Sequence, residues 1–379
     1  MRIRAAVLHA PGRPVVVEDV ELEPPRAREV LVRVAAAGVC HSDVHLADGS
    51  LGPLRWPIVL GHEGAGVVEA VGGGVGHVGR GDHVAFCFVP ACGSCRACRA
   101  GRSNLCEPAG DCSVAGTLLD GSSRLSLPDG TVLQHGLMTA CFAEHVVVDA
   151  AAVVPLPADL PLWQAALLGC GVVTGIGAVR NAARVRVGET VCVIGCGGVG
   201  LQVVAGARLA GAARIVAVDR DGAKLELALR RGATHTVDSR SGDVAATVRG
   251  LTAGGVDHAF EVVGRAETIR LAWDVLRPGA TAIVVGLAPR GVEVALPAIE
   301  FLSEKGIKGC YYGSANVAAE LPQLVELVAD GRLGLADVVS HVVPLEGGVE
   351  EALGRLRRGE GARTVLIVDA SLAGAPASG

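Results

Sequence analysis

The spacing of apolar and polar positions divides this chain into two stretches with different rhythms. In the first, short apolar runs set off by Gly and Pro predict strands at Ala5 to Leu8, Val15 to Val20, Val30 to Ala35, Gly66 to Val71 and Asp82 to Phe88. This is an all-β region, expected to close as a barrel. From Glu189 onward, buried-strand runs alternate with helical segments. The strands are expected at Thr190 to Ile194, Arg214 to Val218, Thr234 to Val237, Asp257 to Val262, Ala280 to Val285 and Ile307 to Tyr312. That alternation is the pattern of an α/β doubly wound parallel sheet of the dinucleotide-binding kind. Between Cys106 and Ala140 the chain is polar and without clear period, which predicts an irregular excursion. A helix at Ala318 to Asp330 and a strand at Arg363 to Val368 are assigned back to the first domain. The expected division is 1–171 with 313–379 against 172–312, with a small polar tail from 371 to 379 expected to lack order.

Composition supports two folded domains. At 379 residues, half of them hydrophobic, there is material for two cores; aromatics are 3% and glycines number 53, so those cores are built of Val, Ala, Leu and Ile with many close backbone approaches. The formal charge of -5 includes no long run of one sign, so neither nucleic acid nor an anionic membrane surface is an expected partner. A small, roughly neutral ligand is expected instead. Met1 to Pro11 lacks the continuous apolar core of a secretory signal, and no uncharged apolar stretch of about 18 residues is expected to cross a membrane. The expected location is the cytoplasm, where the twelve cysteines would serve as ligands or buried thiols.

Cys92, Cys95, Cys98 and Cys106 stand as C-x2-C-x2-C-x7-C. Two-residue gaps let neighbouring sulfurs converge on one ion, which is the spacing of a closed tetrahedral zinc site; disulfides or core thiols are the alternative. A second motif, Gly195-Cys196-Gly197-Gly198-Val199-Gly200, follows a predicted strand and opens a predicted helix. Gly195 would allow the tight turn, Gly197 the approach of a pyrophosphate, and Gly200 the packing of helix on strand. Asp219 ends the next strand, where a carboxylate accepts the adenosine ribose hydroxyls and repels a 2'-phosphate, so NAD is favoured over NADP. Lys224, one turn on, either reaches the ribose or is an exposed helix lysine; Arg220 is read as a surface charge.

Cys40, His62 and Cys170 each follow or flank a predicted element end, and two thiolates with one imidazole would leave zinc an open fourth position. Spacing alone does not bring the three together. The segments Gly38-Val39-Cys40-His41-Ser42-Asp43, Gly61-His62-Glu63-Gly64-Ala65-Gly66, the four-cysteine loop, Leu168-Gly169-Cys170-Gly171 with Thr174-Gly175, and Gly195 to Gly200 through Asp219 occur in one order along the chain. With them the sequence resembles the zinc-dependent alcohol dehydrogenases of the medium-chain dehydrogenase/reductase superfamily, in the long-loop form related to the class I and class III enzymes.

The resemblance implies a GroES-like barrel domain holding two zincs, a Rossmann domain binding NAD, and a cleft between them. It makes Cys40, His62 and Cys170 the catalytic zinc ligands and the four-cysteine loop a structural site with no open position. Asp43 would hold the His62 imidazole, and Glu63 would be a nearby carboxylate able to approach the metal. Ser42 would bond the substrate oxygen and pass its proton through the nicotinamide ribose to His45, whose alternative is an exposed helix histidine. A zinc-bound alkoxide would then release hydride to nicotinamide. Thr174, Gly198 and Val199 join the cofactor-binding segments, while His41 and Arg363 fall where the family places pyrophosphate-binding cations. Phe88 aligns with a substrate-pocket aromatic, although core packing explains a strand Phe as well.

Glutathione-using members carry acidic residues after the serine motif and an Arg after the fourth loop cysteine; here Leu51, Pro53 and Gly110 stand at those positions. The expected reaction is therefore reversible oxidation of an alcohol to an aldehyde or ketone. The alternatives are a formaldehyde dehydrogenase using a thiol other than glutathione, and a non-catalytic NAD-binding protein with only the structural zinc. A homodimer is expected, with a tetramer as the other possibility.

Overall fold

The computed structural model of this chain describes residues 1–52 and 54–374, in two compact units, 1–170 with 316 onward and 171–315. Pro53 and residues 375–379 lie outside the described residues.

In the first unit the β region is two bodies. Strands Arg2–Leu8, Val16–Leu22, Leu125–Ser126, Val132–His135 and Ile58–Val59 pair in that order into a small closed barrel. The other three predicted strands belong to a seven-stranded sheet ordered Val153–Pro155, His83–Phe86, Glu63–Val71, Glu29–Val39, Arg363–Ile367 and Val339–Pro344, with His145–Asp149 also paired to Glu29–Val39. The physical reason is burial. Glu29–Val39 is buried at nearly every position, as a central strand covered on both faces must be, and is not the one-sided strand of a barrel wall.

The stretch from Cys106 to Ala140, expected to be irregular, instead holds the helix Glu107–Ala115 and the two short strands that complete the barrel. Gly116 ends that helix at φ 71°, a left-handed cap. Strands of two and four residues are too short to show a period. The C-terminal tail also differs from expectation within the described residues. Ala370–Ala373 form a short helix whose N-cap, Asp369, accepts the Ser371 amide.

The second unit is a six-stranded parallel sheet in the order His235–Asp238, Arg214–Asp219, Thr190–Ile194, Val256–Glu261, Leu276–Val284, Gly306–Gly309. Helices Gly198–Leu209, Gly222–Arg231, Val244–Leu251 and Ala266–Asp274 are the crossovers. Asp221 and Asp243 cap two of them by accepting the Ala223 and Ala246 amides. Valine, alanine and Trp273 fill the core beneath the sheet. The last expected strand is shorter, because Tyr312–Ser314 form a 3-10 turn with Gly313 at φ 67°.

One helical run, Leu162–Ala183, is long and apolar enough to cross a membrane by length and composition, contrary to the expectation above; 89% of its apolar window is buried within the protein, as in a core helix.

Candidate functional site

In the first unit, three strand and helix ends bring four buried side chains together. Cys40 caps the helix His41–Asp48 where it leaves the strand Glu29–Val39, and His62 precedes Glu63, which begins the neighbouring antiparallel strand. Cys170 lies in a π-helical turn, Leu168–Val172. A Cβ on Gly169 would fall 1.7 Å from the Phe86 carbonyl oxygen, so only glycine lets that turn approach the sheet. The donor atoms of Cys40, His62, Glu63 and Cys170 lie within 4.8 Å of one another, and all four residues are buried.

Asp43 organises two of them. Its Oδ2 accepts the Cys40 amide at 2.9 Å and its Oδ1 lies 3.1 Å from His62 Nδ1. A proton on Nδ1 leaves Nε2 as a lone-pair atom, and Nε2 is buried with no hydrogen-bond partner among the described residues. A metal ion fits that orphaned nitrogen and the two sulfurs. Burial disfavours the charged His62 ring, but the Asp43 carboxylate and the Cys40 sulfur outweigh it and raise its pKa well above the usual value. Of the two thiols, Cys40 lies well below the ordinary range, because the Cys170 thiol donates to its sulfur and Arg363 and His62 add positive charge against the opposing effect of burial. Cys170 is correspondingly held above it.

Arg363, which the resemblance associates with a pyrophosphate, is buried in the first unit. Its Nη1 donates to the Val39 carbonyl at 3.2 Å and its Nη2 is 3.4 Å from Glu63 Oε2. This pair links residues about 300 positions apart in sequence, and no local pattern announces it. Phe88 sets its ring edge-on to His62, centroids 5.2 Å apart. Ser42 and His45 share the helix that Cys40 caps. Ser42 Oγ is 3.9 Å from Cys40 Sγ, whereas His45 is 9% exposed and places Nδ1 2.7 Å from Ser50 Oγ. Ser50 is a partner that sequence reasoning missed. His41 is exposed, its ring 5.4 Å from that of His45.

The four-cysteine loop forms a second cluster, with its sulfurs also within 4.8 Å of one another. Backbone amides point at the sulfurs: Cys95 N to Cys92 Sγ at 3.3 Å, Cys98 N to Cys95 Sγ at 3.4 Å, and Cys92 N to Cys106 Sγ at 3.4 Å. For Cys92, burial is outweighed by the Ser94 and Cys95 amides and the Ser94 hydroxyl, which draw the thiol down to about 6. Amides aimed at sulfur favour thiolates, the form that binds zinc. All twelve cysteines are free thiols.

In the second unit the strand Thr190–Ile194 turns at Gly195, φ 96°, into the helix Gly198–Leu209. A Cβ on Gly200 would sit 1.8 Å from the Gly195 carbonyl oxygen, whereas one on Gly197 would meet nothing within 4 Å. The first glycine is needed for packing, and the second borders open space at a helix N-terminus that no side chain caps. Asp219 ends the next strand, its Oδ2 accepting the Cys196 amide at 2.7 Å and its Oδ1 the Asp221 amide at 3.0 Å. The glycine turn thus fixes the carboxylate beside itself. Lys224 lies on the following helix, half-buried, and Thr174 lies in the helix Val173–Gly177. A dinucleotide fits this turn, helix end and carboxylate.

Comparison with known proteins shows the family and the fold. The family model described as the alcohol dehydrogenase GroES-like domain matches residues 26–158, and that of zinc-binding dehydrogenases matches residues 198–330. An NDMA-dependent alcohol dehydrogenase of Amycolatopsis methanolica is 42% identical, over 97% of this chain and 99% of its own. An S-(hydroxymethyl)glutathione dehydrogenase of Haemophilus influenzae is 38% identical over 97% of each chain. Among solved structures, benzyl alcohol dehydrogenase from Acinetobacter calcoaceticus superposes with a TM-score of 0.91 at 30% identity, covering 97% of this chain and 100% of its own.

Proposed function

We infer the details of the reaction from one premise: the chain belongs to the zinc-dependent alcohol dehydrogenases of the medium-chain dehydrogenase/reductase superfamily and is an NAD-linked enzyme of that family. Zinc held by Cys40, His62 and Cys170 would supply a Lewis acid that makes an alcohol oxygen more acidic, and the nicotinamide would supply the hydride acceptor. The observation that carries this reading is the buried, partnerless Nε2 of His62 beside two sulfurs.

The protein's own groups have distinct tasks in this reading. Asp43 keeps the Nδ1 proton of His62 in place, and the Glu63–Arg363 pair keeps the second carboxylate neutralised next to the thiolates. Ser42 Oγ, beside Cys40, takes the proton of the substrate hydroxyl. With His45 Nδ1 engaged by Ser50, Nε2 is the atom left to pass the proton to water. Phe88, edge-on to the His62 ring, is proposed to line the substrate side of the site. Two zincs per chain are proposed, the second in the four-cysteine loop, where three amides already face the sulfurs.

NAD is proposed over NADP because Asp219 is anchored at the ribose position, and the nearby Arg240 is bound bidentately to Asp238 and is thereby less available to a phosphate. The proposed substrate is an uncharged primary alcohol, benzylic or terpenoid ones included. Leu51 packs on the apolar core where a charged thiol adduct would need an ionic partner. A homodimer is proposed through the second unit. Ile299 at 71%, Phe301 at 47%, Leu302 at 81% and Tyr311 at 51% exposure gather around the edge strand Gly306–Gly309, whose free side can pair with a second copy. Twelve free thiols support a cytoplasmic location.

The test is NADH formation from short, long, aromatic and terpenoid alcohols, with and without low-molecular-weight thiols. Reduction of NAD by aromatic or long alcohols without thiol is expected. Turnover only of formaldehyde with a thiol present would replace this reading by the thiol-dependent one.

A further inference from the structure

Glu261 ends the strand Val256–Glu261, flanked in register by Ile194 of one neighbouring strand and Val284 of the other. It is fully buried, an expensive position for a carboxylate. Its Oε1 accepts three hydrogen bonds: from the Val263 amide at 2.8 Å, the Gly264 amide at 2.7 Å and the Thr268 hydroxyl at 2.8 Å. Its backbone carbonyl accepts two more, from the Val285 and Gly286 amides at 2.8 and 3.0 Å. Its Oε2 is buried without a hydrogen-bond partner among the described residues.

These bonds tie the turn after one strand to the turn after the next. A Cβ on Gly286 would lie 2.2 Å from the Gly264 nitrogen, 2.7 Å from the Val263 nitrogen and 2.7 Å from Glu261 Oε2, so the two turns and the carboxylate are in direct contact. The Val263 side chain in turn reaches the phosphate turn, 2.6 Å from where a Cβ on Gly195 would stand. Glu261 therefore joins two turns, the first through its carboxylate and the second through its main-chain carbonyl and the contact of Gly286 with Oε2, at the C-terminal edge of the sheet, where open α/β sheets bind their ligands.

The strand order says which part of the ligand those loops meet. Asp219, the ribose carboxylate, lies on one side of the strand Thr190–Ile194, and the pyrophosphate turn follows that strand itself. The Glu261 and Leu276–Val284 strands lie on the other side. A dinucleotide that runs from Asp219 across the glycine turn must lay its nicotinamide half over the turns that Glu261 joins. We propose that Glu261 is a positioning residue for the nicotinamide end of the cofactor, holding the 262–264 and 285–287 turns as one platform without touching the reacting atoms. The proposal rests on the dinucleotide reading of this unit.

The experiment compares NAD with ADP-ribose, which keeps both riboses and the pyrophosphate but lacks the nicotinamide. Dissociation constants for both are measured by calorimetry on the full zinc-loaded chain, wild type and Glu261→Gln. Gln nearly preserves shape but removes the charge from the bonds to the two amides and puts an NH2 group against Gly286. NAD binding is expected to weaken about tenfold or more while ADP-ribose binding stays within about twofold. Equal weakening of both ligands, or no weakening of either, overturns the proposal, because a residue with only a structural role would not discriminate between them. Should Glu261→Gln not fold, Thr268→Val, which removes one of the three bonds to Oε1, is expected to move the same ratio in the same direction, and an unchanged ratio overturns it. If the wild type binds neither ligand, the dinucleotide reading itself fails, a result distinct from loss of selectivity.

Discussion

The carboxylate of Asp43 joins His62 to Cys40: Oδ1 lies 3.1 Å from the imidazole Nδ1 and Oδ2 accepts the Cys40 amide at 2.9 Å, all of it buried. One side chain thus orients two of the three proposed zinc ligands. Asp43→Asn keeps an acceptor for one of these groups but offers an uncharged partner to the ring. Zinc affinity at this site is expected to fall about 10- to 100-fold, the usual cost of losing such a partner. Competition with a chromophoric chelator measures it; an affinity within about twofold of wild type would show that the carboxylate does not orient the ring.

The two clusters should separate on mutation. Cys170→Ala removes one ligand of the buried trio and leaves the loop sulfurs untouched. Metal analysis is expected to return one zinc per chain, with the fold intact by circular dichroism and activity abolished. Cys98→Ala should instead loosen the four-cysteine loop, because it removes one of the four sulfurs proposed to hold the second zinc. Its melting temperature is expected to drop by about 5 °C or more, the shift that about 2 kcal/mol produces in a domain of this size. Equal metal loss and equal destabilisation in both variants would contradict two independent sites.

Much of the second unit was legible because its signals are local. Thr190–Ile194 is found with the expected bounds, since Gly188 and Gly195 close the apolar run at both ends. The first unit hid more. The strands Leu125–Ser126 and Val132–His135 are too short to carry a period and are held by partners far away in sequence, Val16–Leu22 and Ile58–Val59. Residue type and element ends single out Cys40, His62 and Cys170 as candidate ligands, but their meeting rests on the resemblance, because no spacing encodes it. The Arg363–Glu63 pair and the Glu261 hub were not anticipated at all. For Glu261 a signal existed, a single carboxylate ending the apolar run Ala259-Phe260 and followed by Val-Val-Gly. Position alone could not say that its bonds tie two turns together.

The glycines of the phosphate turn should fail in different ways. At Gly200 a Cβ would stand 1.8 Å from backbone oxygen, so Gly200→Ala must shift the helix and is expected to cost about 1–3 kcal/mol of stability as well as cofactor affinity. At Gly197 nothing lies within 4 Å, so Gly197→Ala should fold with stability within about 0.5 kcal/mol of wild type. Its methyl group would occupy the approach of the pyrophosphate, and NAD and ADP-ribose are both expected to bind at least about tenfold more weakly. Thermal unfolding and calorimetry on the two variants separate the roles; unchanged binding in Gly197→Ala would place the phosphates elsewhere.

Glu29 and Asp149 face each other directly across two antiparallel strands, and the Arg124 guanidinium binds Glu29 and Asp120 but is not hydrogen-bonded to Asp149. Among the described residues, the hydrogen-bond donor to Asp149 is the Leu119 amide, at 2.9 Å. Burial pushes its carboxyl up to about 6, and the charges of Glu29 and Asp120 add to that against the Leu119 amide and Arg124. An unfolded aspartate titrates near 3.9, so the folded chain holds this proton more tightly. The resulting stabilisation is complete below about pH 4 and is lost as pH rises through about 6, leaving a charged, poorly paired carboxylate at pH 7. Asp149→Asn keeps an acceptor for the Leu119 amide and carries no charge. It is expected to be more stable than wild type at pH 7 by about 1–3 kcal/mol, an advantage that shrinks at pH 5 and disappears near pH 4. Urea unfolding at the three pH values measures this. A variant less stable than wild type at pH 7 would mean that Asp149 is ionised at no cost to the fold.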